Sequence, residues 1–326
     1  MAVVRPPTLP AGDPPRPPAA AAPAGAFLGL ATYVVGGALI PVLQRYLSFH
    51  FDQFTQNFYR MLAGGCALLL VAGLWYRPGL RRLLGSARGL GWAGLMSLGA
   101  ALGNALVVEG IARTSATVGG LMLILIAPLA SVAAALLYAE ERRLLRRARV
   151  LGGAGLALAG AVALALSAGQ GDLRATDGVW LLLGAALVMA TLTVFAKRVV
   201  TEFEPVSVTA VMTLASCVTF GVAGLRWGHL GAVLTCPPLP LAVLLLSGVY
   251  GLLVGFGLQF VTLRRLGVVT LIFGSLASPV FTALFGHWVF QERLAARQLA
   301  AAAVLLVGCL LVVAAKAASR KAQEEH

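Results

Sequence analysis

The chain has 326 residues, of which 59% are hydrophobic and 11% charged, with a mean hydropathy of +0.89. A soluble domain carries about a quarter of its residues as charged side chains, so an ordinary water-soluble fold is excluded and most of the chain belongs in lipid. The formal net charge of +13 does not point to nucleic acid, because the basic residues lie in short connections between apolar runs and lack interleaved aromatics.

Residues 1–25 hold eight prolines and are expected to be a disordered tail, since each proline removes a backbone donor and none of the segment can bury a core. Ten apolar runs follow, at 26–46, 54–76, 90–111, 115–138, 150–167, 178–196, 205–226, 239–263, 268–290 and 299–315. A helix of about 20 apolar residues crosses the hydrocarbon of a bilayer, so the expectation is an all-α integral membrane protein with ten transmembrane helices, closed by a short tail at 317–326.

The second five runs repeat the first five. Pro128 interrupts the fourth and Pro279 the ninth, and each is followed thirteen positions later by a Glu-Arg pair, at Glu141 and Glu292. Gly99-x-x-x-Gly103 in the third run matches Gly251-x-x-x-Gly255 in the eighth, at an offset of 152 against 151 for the prolines. Two features in one register predict two five-helix repeats, 26–167 and 168–316. With the amino terminus in the cytoplasm, 18 Arg and Lys fall on that side and six on the other. This bias fixes orientation. Both termini are then cytoplasmic, and five helices per repeat make the two repeats inverted. Arg is used almost to the exclusion of Lys, with abundant Ala and Gly, as in GC-rich bacterial coding, so the expected location is the cell (inner) membrane.

Matched broken helices are the sequence pointer to a transporter's binding site. Proline frees polar backbone that lipid does not satisfy, which makes Pro128 and Pro279 candidate site residues; their competing reading is a packing kink. Arg60 and Glu109 are the charges inside runs. An ion at mid-helix costs roughly 2.5–3.5 kcal/mol on insertion scales, so they are read either as a mutually neutralising pair or as substrate-facing groups, with Glu109 as candidate proton carrier. Hydroxyls share helical faces at Thr209, Thr213 and Ser216 and at Ser275, Ser278 and Thr282. Asn57, Asn104, Gln44 and Gln259 add amides, and Tyr33, Phe256 and Phe273 are aromatics deep enough to stack on a solute. Hydroxyls also bond their own helix or stitch neighbours, and the glycine pairs are expected to permit close helix packing rather than solute contact.

The order of these features resembles the EamA-type branch of the drug/metabolite transporter superfamily over residues 26–316. The resemblance is carried by Tyr59-Arg60-Met61 in the second run, Pro128 then Glu141, Lys197 closing the sixth run, and Pro279 then Glu292. It implies a central cavity lined by helices one to four and six to nine, with five and ten as outer supports. It also implies export of amino acids, metabolites or cationic drugs, while relatives carry nucleotide sugars or lipid-linked sugars. The expected function is therefore a secondary transporter, an exporter of a small amphiphilic metabolite, amino acid or drug working by alternating access. A carrier of nucleotide or lipid-linked sugars is the alternative within the class, and an integral membrane enzyme or scaffold the alternative outside it. Isolated histidines and the absence of HExxH or GxSxG patterns argue against enzyme, metal and cofactor. The expected partners are a small-molecule substrate and the lipid bilayer, with no nucleic acid; proton coupling, with Glu109 as candidate carrier, is left open beside a structural role for that residue.

Overall fold

A computed structural model of the protein describes residues 24–138, 148–168, 173–255, 258, 270–271 and 274–324. The described residues are helical with turns between, and hold no strand. The helices are α1 (Ala24–Leu47), α2 (Gln53–Trp75), α3 (Arg77–Leu84), α4 (Ala87–Arg113), α5 (Ala116–Leu123), α6 (Ile126–Leu137), α7 (Ala148–Ala168), α8 (Leu173–Glu202), α9 (Pro205–Trp227), α10 (Ala232–Thr235), α11 (Pro238–Val249), α12 (Ser278–Phe290) and α13 (Ala296–Glu324). Eight helical stretches among the described residues are long and apolar enough to cross a membrane. The expected eighth and ninth spans are represented by the shorter apolar stretch Pro238–Val254 and by α12, with 259–269 outside the described residues. Large apolar side chains such as Leu70, Leu98, Leu136, Val218 and Leu246 point outward, the surface a bilayer covers and water does not.

Side-chain caps set several helix starts. Asp52 accepts from the N–H groups of Phe54 (2.9 Å) and Thr55 (3.0 Å), and Glu204 does the same for Val206 (3.0 Å) and Ser207 (2.7 Å) ahead of α9. Ser86 and Ser115 cap α4 and α5. Each cap satisfies donors that a helix start leaves open and is worth about 1 kcal/mol.

Small residues decide which helices touch. α7 and α13 pack antiparallel through Gly153, Gly160 and Gly308; a Cβ on Gly308 would sit 2.2 Å from the Ala157 nitrogen. The pair also packs on α6, and α7 on α8. Gly99 and Gly103 press α4 on Leu192 and Met189 of α8, the close-packing role expected of them. α2 runs antiparallel to α9, with Gly65 against Thr213 and Leu214, and Phe58 against Gly221. Close approach without side-chain bulk is how apolar helices gain contact in lipid.

Four expectations change. The connection after α2 contains the short basic helix α3, which buries Leu83 and whose eight residues are too few to register as a span. α8 is longer than the run 178–196. The helix α13 continues to Glu324, through the segment expected to be a separate tail. The fourth span divides into α5 and α6 at Ile124 and Leu125, a turn ahead of Pro128. The expected tail up to residue 23, Glu141 and the basic stretch 142–147 lie outside the described residues.

Candidate functional site

Three helices lose their regularity around one cavity. In α1, Pro41 has no N–H to donate to the Gly37 carbonyl one turn back. At the end of α11 the chain winds into a π-helical turn, Tyr250–Val254, a feature that concentrates at functional sites. Ahead of α12 the helix is broken by a turn at Leu276 and Ala277, and Pro279 withholds a donor from the Ser275 carbonyl. Between these irregular segments lies a cavity of about 250 Å³ lined by Tyr33, Val34, Gly37, Ile40, Tyr250, Gly251, Gly255, Ser275 and Ser278.

The wall is neutral and hydrogen-bonded. Ser275 Oγ donates to the Leu271 carbonyl at 2.7 Å, and the Tyr33 hydroxyl lies within interaction distance of it. Tyr250 Oη reaches the Thr32 carbonyl at 3.4 Å. It lies where a Cβ of residue 36 would be, 1.4 Å away, so only glycine admits the tyrosine there. Ser278 Oγ and Thr282 Oγ1 donate to the Val34 (3.4 Å) and Ala38 (3.0 Å) carbonyls, which fastens α12 parallel to α1. Such a wall offers hydroxyls and backbone carbonyls to a solute without a fixed charge.

At the bundle end carrying the α1–α2 turn, four helices are tied by charged groups. Glu292 Oε1 accepts from the Ala116 N–H at 2.9 Å, and its Oε2 from the Thr117 N–H at 3.0 Å and the Thr117 hydroxyl at 2.7 Å. The Arg45 guanidinium donates to the Ile111 (3.0 Å) and Ala112 carbonyls that end α4, and its charge lies within electrostatic reach of Glu292. A carboxylate on a helix start and a guanidinium on a helix end both complement the local dipole. The cluster ties α1, α4, α5 and the end of α12 together at this end of the bundle.

The remaining expected site residues divide. Tyr33, Ser275 and Ser278 line the cavity and Pro279 adjoins it. Pro128 is buried in α6, and the carbonyl it deprives, that of Ile124, accepts instead from Ala127 at 3.3 Å. Thr209 donates to the Pro205 carbonyl of its own helix at 2.8 Å. Thr213 is buried against α2, and Ser216 stitches α9 to the Ser97 carbonyl of α4 at 2.9 Å. These hydroxyls face helix partners because α9 packs on α2 and α4. Glu109 does not pair with Arg60: it meets Arg113, one turn on in α4, at 2.7 Å, and borders a second, shallower pocket with Asp52 and Trp227. Asn57 and Asn104 adjoin, the Asn57 amide reaching the Asn104 carbonyl at 3.5 Å, and Arg60 is buried beside them. Gly251 and Gly255 line the cavity, and Gly251 also lets its helix approach α1, where a Cβ would meet Ile40 Cδ1 at 3.3 Å. Phe256, Gln259 and Phe273 lie outside the described residues. Pro41, Gly36 and Tyr250 were not among the expected site residues. Pro41 was legible as a third in-helix proline, whereas the Gly36–Tyr250 contact joins residues over two hundred positions apart and leaves no local mark.

Comparison with known proteins gives a consistent set of likenesses. Residues 176–314 match the EamA-like transporter family. The chain is 25% identical over 281 residues to an uncharacterized transporter of Haemophilus influenzae, across 84% of this chain and 92% of that protein. A solved crystal structure superposes with a TM-score of 0.60 at 19% identity, covering 91% of this chain and 98% of the other, a likeness of fold alone.

Proposed function

We propose, from the match of residues 176–314 to the EamA-like transporter family and the likeness to an uncharacterized transporter, that the chain is an EamA-type multi-pass membrane protein and a secondary transporter. It exports a small amphiphilic metabolite, amino acid or drug by alternating access around the cavity between α1, α11 and α12. The observation that carries this reading is the convergence of Pro41, the π turn and the Pro279 break on one cavity. Irregular backbone at membrane depth is tolerated where it lines a cavity, and transporters place their solutes at such broken helices.

The architecture proposed is ten spans in two inverted repeats, 26–167 and 168–316, with both termini in the cytoplasm of the cell (inner) membrane. Two features support it beyond the proline and glycine registers. The capping pairs Asp52/Thr55 and Glu204/Ser207 begin α2 and α9 at the same offset of 152, and the helix pairs α2 with α9 and α7 with α13 run antiparallel. In this orientation the Arg45–Glu292 cluster seals the outer face, and the cavity belongs to the inward-facing side of the cycle.

Size favours a small solute. Pockets for drug-sized ligands run from about 300 Å³ upward, and about 250 Å³ suits a metabolite better than a nucleotide sugar or lipid-linked sugar. Gly37 gives the direct test. A Cβ there meets only Ser278 Oγ, at 3.9 Å, so Gly37→Val should fold normally and fill the cavity. Counterflow of the solute in proteoliposomes should fall at least tenfold with unchanged thermal stability. Full transport by Gly37→Val would remove the cavity from the solute's path.

A further inference from the structure

Between the sealing cluster and the cavity, α1 and α2 bury four long polar side chains whose hydrogen bonding is incomplete. Gln56 and Asn57 are fully buried, and Gln44 and Arg60 are 3% and 6% exposed. The oxygens Gln44 Oε1, Gln56 Oε1 and Asn57 Oδ1 and the nitrogens Arg60 Nε and Nη1 have no hydrogen-bond partner among the described residues. The amide orientations follow from their surroundings. Gln56 Nε2 faces the Gln44 backbone carbonyl at 3.2 Å and Asn57 Nδ2 the Gln53 carbonyl at 3.0 Å. A carbonyl only accepts, so the NH2 groups must point at these carbonyls and the amide oxygens elsewhere. Gln56, Asn57 and Arg60 are neighbours on α2, at spacings of one and four residues.

Buried polar groups are nearly always satisfied, and an orphaned one calls for an explanation. The carboxylate expected to neutralise Arg60 is taken by Arg113. Water alone would meet the hydrogen bonds but leave the guanidinium charge uncompensated in a low-dielectric setting. A bare inorganic anion would balance the charge yet face three carbonyl oxygens. Both sets are met by one molecule that carries a carboxylate for the guanidinium fork and N–H or O–H donors beside it for the amide oxygens.

The four residues also stand in line with the cavity. Tyr33, Gly37 and Ile40 line it from one stripe of α1, and Gln44 is the next residue on that stripe, roughly 16 Å along the helix from Tyr33. Across the bundle, Gly248 presses on the Arg60 backbone, where a Cβ would meet the Arg60 carbonyl oxygen at 2.4 Å, and two residues later Tyr250 enters the cavity wall.

We infer that Gln44, Gln56, Asn57 and Arg60 bind the carboxylate end of a small solute that carries hydrogen-bond donors next to that carboxylate, as α-hydroxy and α-amino acids do. This rests on the transporter reading and names the solute class for it.

The test is a thermal-shift titration of the purified full-length protein with matched probes: lactate and alanine, which carry carboxylate and donor; propionate, which carries the carboxylate alone; ethanolamine, which carries donors alone; and chloride. Lactate or alanine should stabilise saturably, at concentrations at least tenfold below propionate and chloride, and ethanolamine should not stabilise. Arg60→Gln should raise the half-saturating concentration at least tenfold. Gln44→Leu removes one orphaned oxygen while keeping the shape, so it should fold whether or not Arg60→Gln does, and it should narrow the preference for lactate over propionate. Equal stabilisation by propionate, chloride or ethanolamine overturns the inference. So does an unchanged response in both variants, or no stabilisation by any probe. Proteoliposome counterflow separates the two claims: transport of a solute without a carboxylate, unaffected by Arg60→Gln, sinks this inference and leaves the transporter reading standing.

Discussion

Glu292→Gln tests whether the bundle end near the α1–α2 turn is held shut by one side chain. The carboxylate accepts three hydrogen bonds, at 2.9, 3.0 and 2.7 Å, from the first turn of α5, and its charge faces Arg45. Glutamine keeps one acceptor oxygen, loses the charge and turns an NH2 group toward a helix N–H. Charge-assisted hydrogen bonds contribute about 1.5–3 kcal/mol each, so the change should cost roughly 2–3 kcal/mol of the closed arrangement. At 1.4 kcal/mol per tenfold, the equilibrium between closed and open ends moves by about thirty- to a hundredfold. Side-specific labelling reads this directly. In a variant without the native thiols Cys66, Cys217, Cys236 and Cys309, a single cysteine at position 278 in the cavity wall should react with an impermeant thiol reagent from the side opposite the α1–α2 turn. Glu292→Gln should open it to labelling from the α1–α2 side. Labelling confined to the original side, with an unchanged melting temperature, would refute the idea that this cap closes the end.

Two further expectations concern the other carboxylates at this end. Burial acts to raise the pKa of Asp52, but the Thr55 N–H and hydroxyl and the N–H groups of His229 and Phe54 outweigh it and hold the group below its ordinary value. Its contribution is therefore complete above the unfolded pKa of about 3.9 and lost as pH falls through the lower folded value. Acid melting curves of Asp52→Asn should accordingly be flatter below about pH 4 than those of the parent, and parallel curves would show that the cap is not linked to folding. Glu109 forms a half-exposed pair with Arg113 one helical turn away, a geometry worth only about 0.3–0.5 kcal/mol. Glu109→Gln should thus fold normally and leave the pH dependence of solute movement in proteoliposomes the same as in the parent; a changed pH dependence with binding intact would mark the residue as a proton carrier.

Reading the chain in one dimension was enough for whatever depends on runs and local chemistry. Span-length apolar segments placed most of the helices, because a helix satisfies its own backbone and lipid rewards apolar length regardless of what lies alongside. Tyr33, singled out as a deep aromatic, and Ser275 and Ser278, singled out as hydroxyls on one helical face, do line the cavity, because depth and facing follow from position along a helix. Which polar groups meet was decided only in three dimensions. Thr213 and Ser216 share a face that looks like a solute wall until α9 is packed on α2 and α4. Glu109 and Arg60 lie at similar depth, yet Arg113 takes the carboxylate from one turn away. Pro128 and Pro279 are equivalent in sequence, but one is buried within α6 and the other follows Ser278 of the cavity wall. Spacing along a helix fixes the direction of a side chain and leaves its partner to the helix that packs there, and for Gly36 and Tyr250 that partner comes from the other half of the chain.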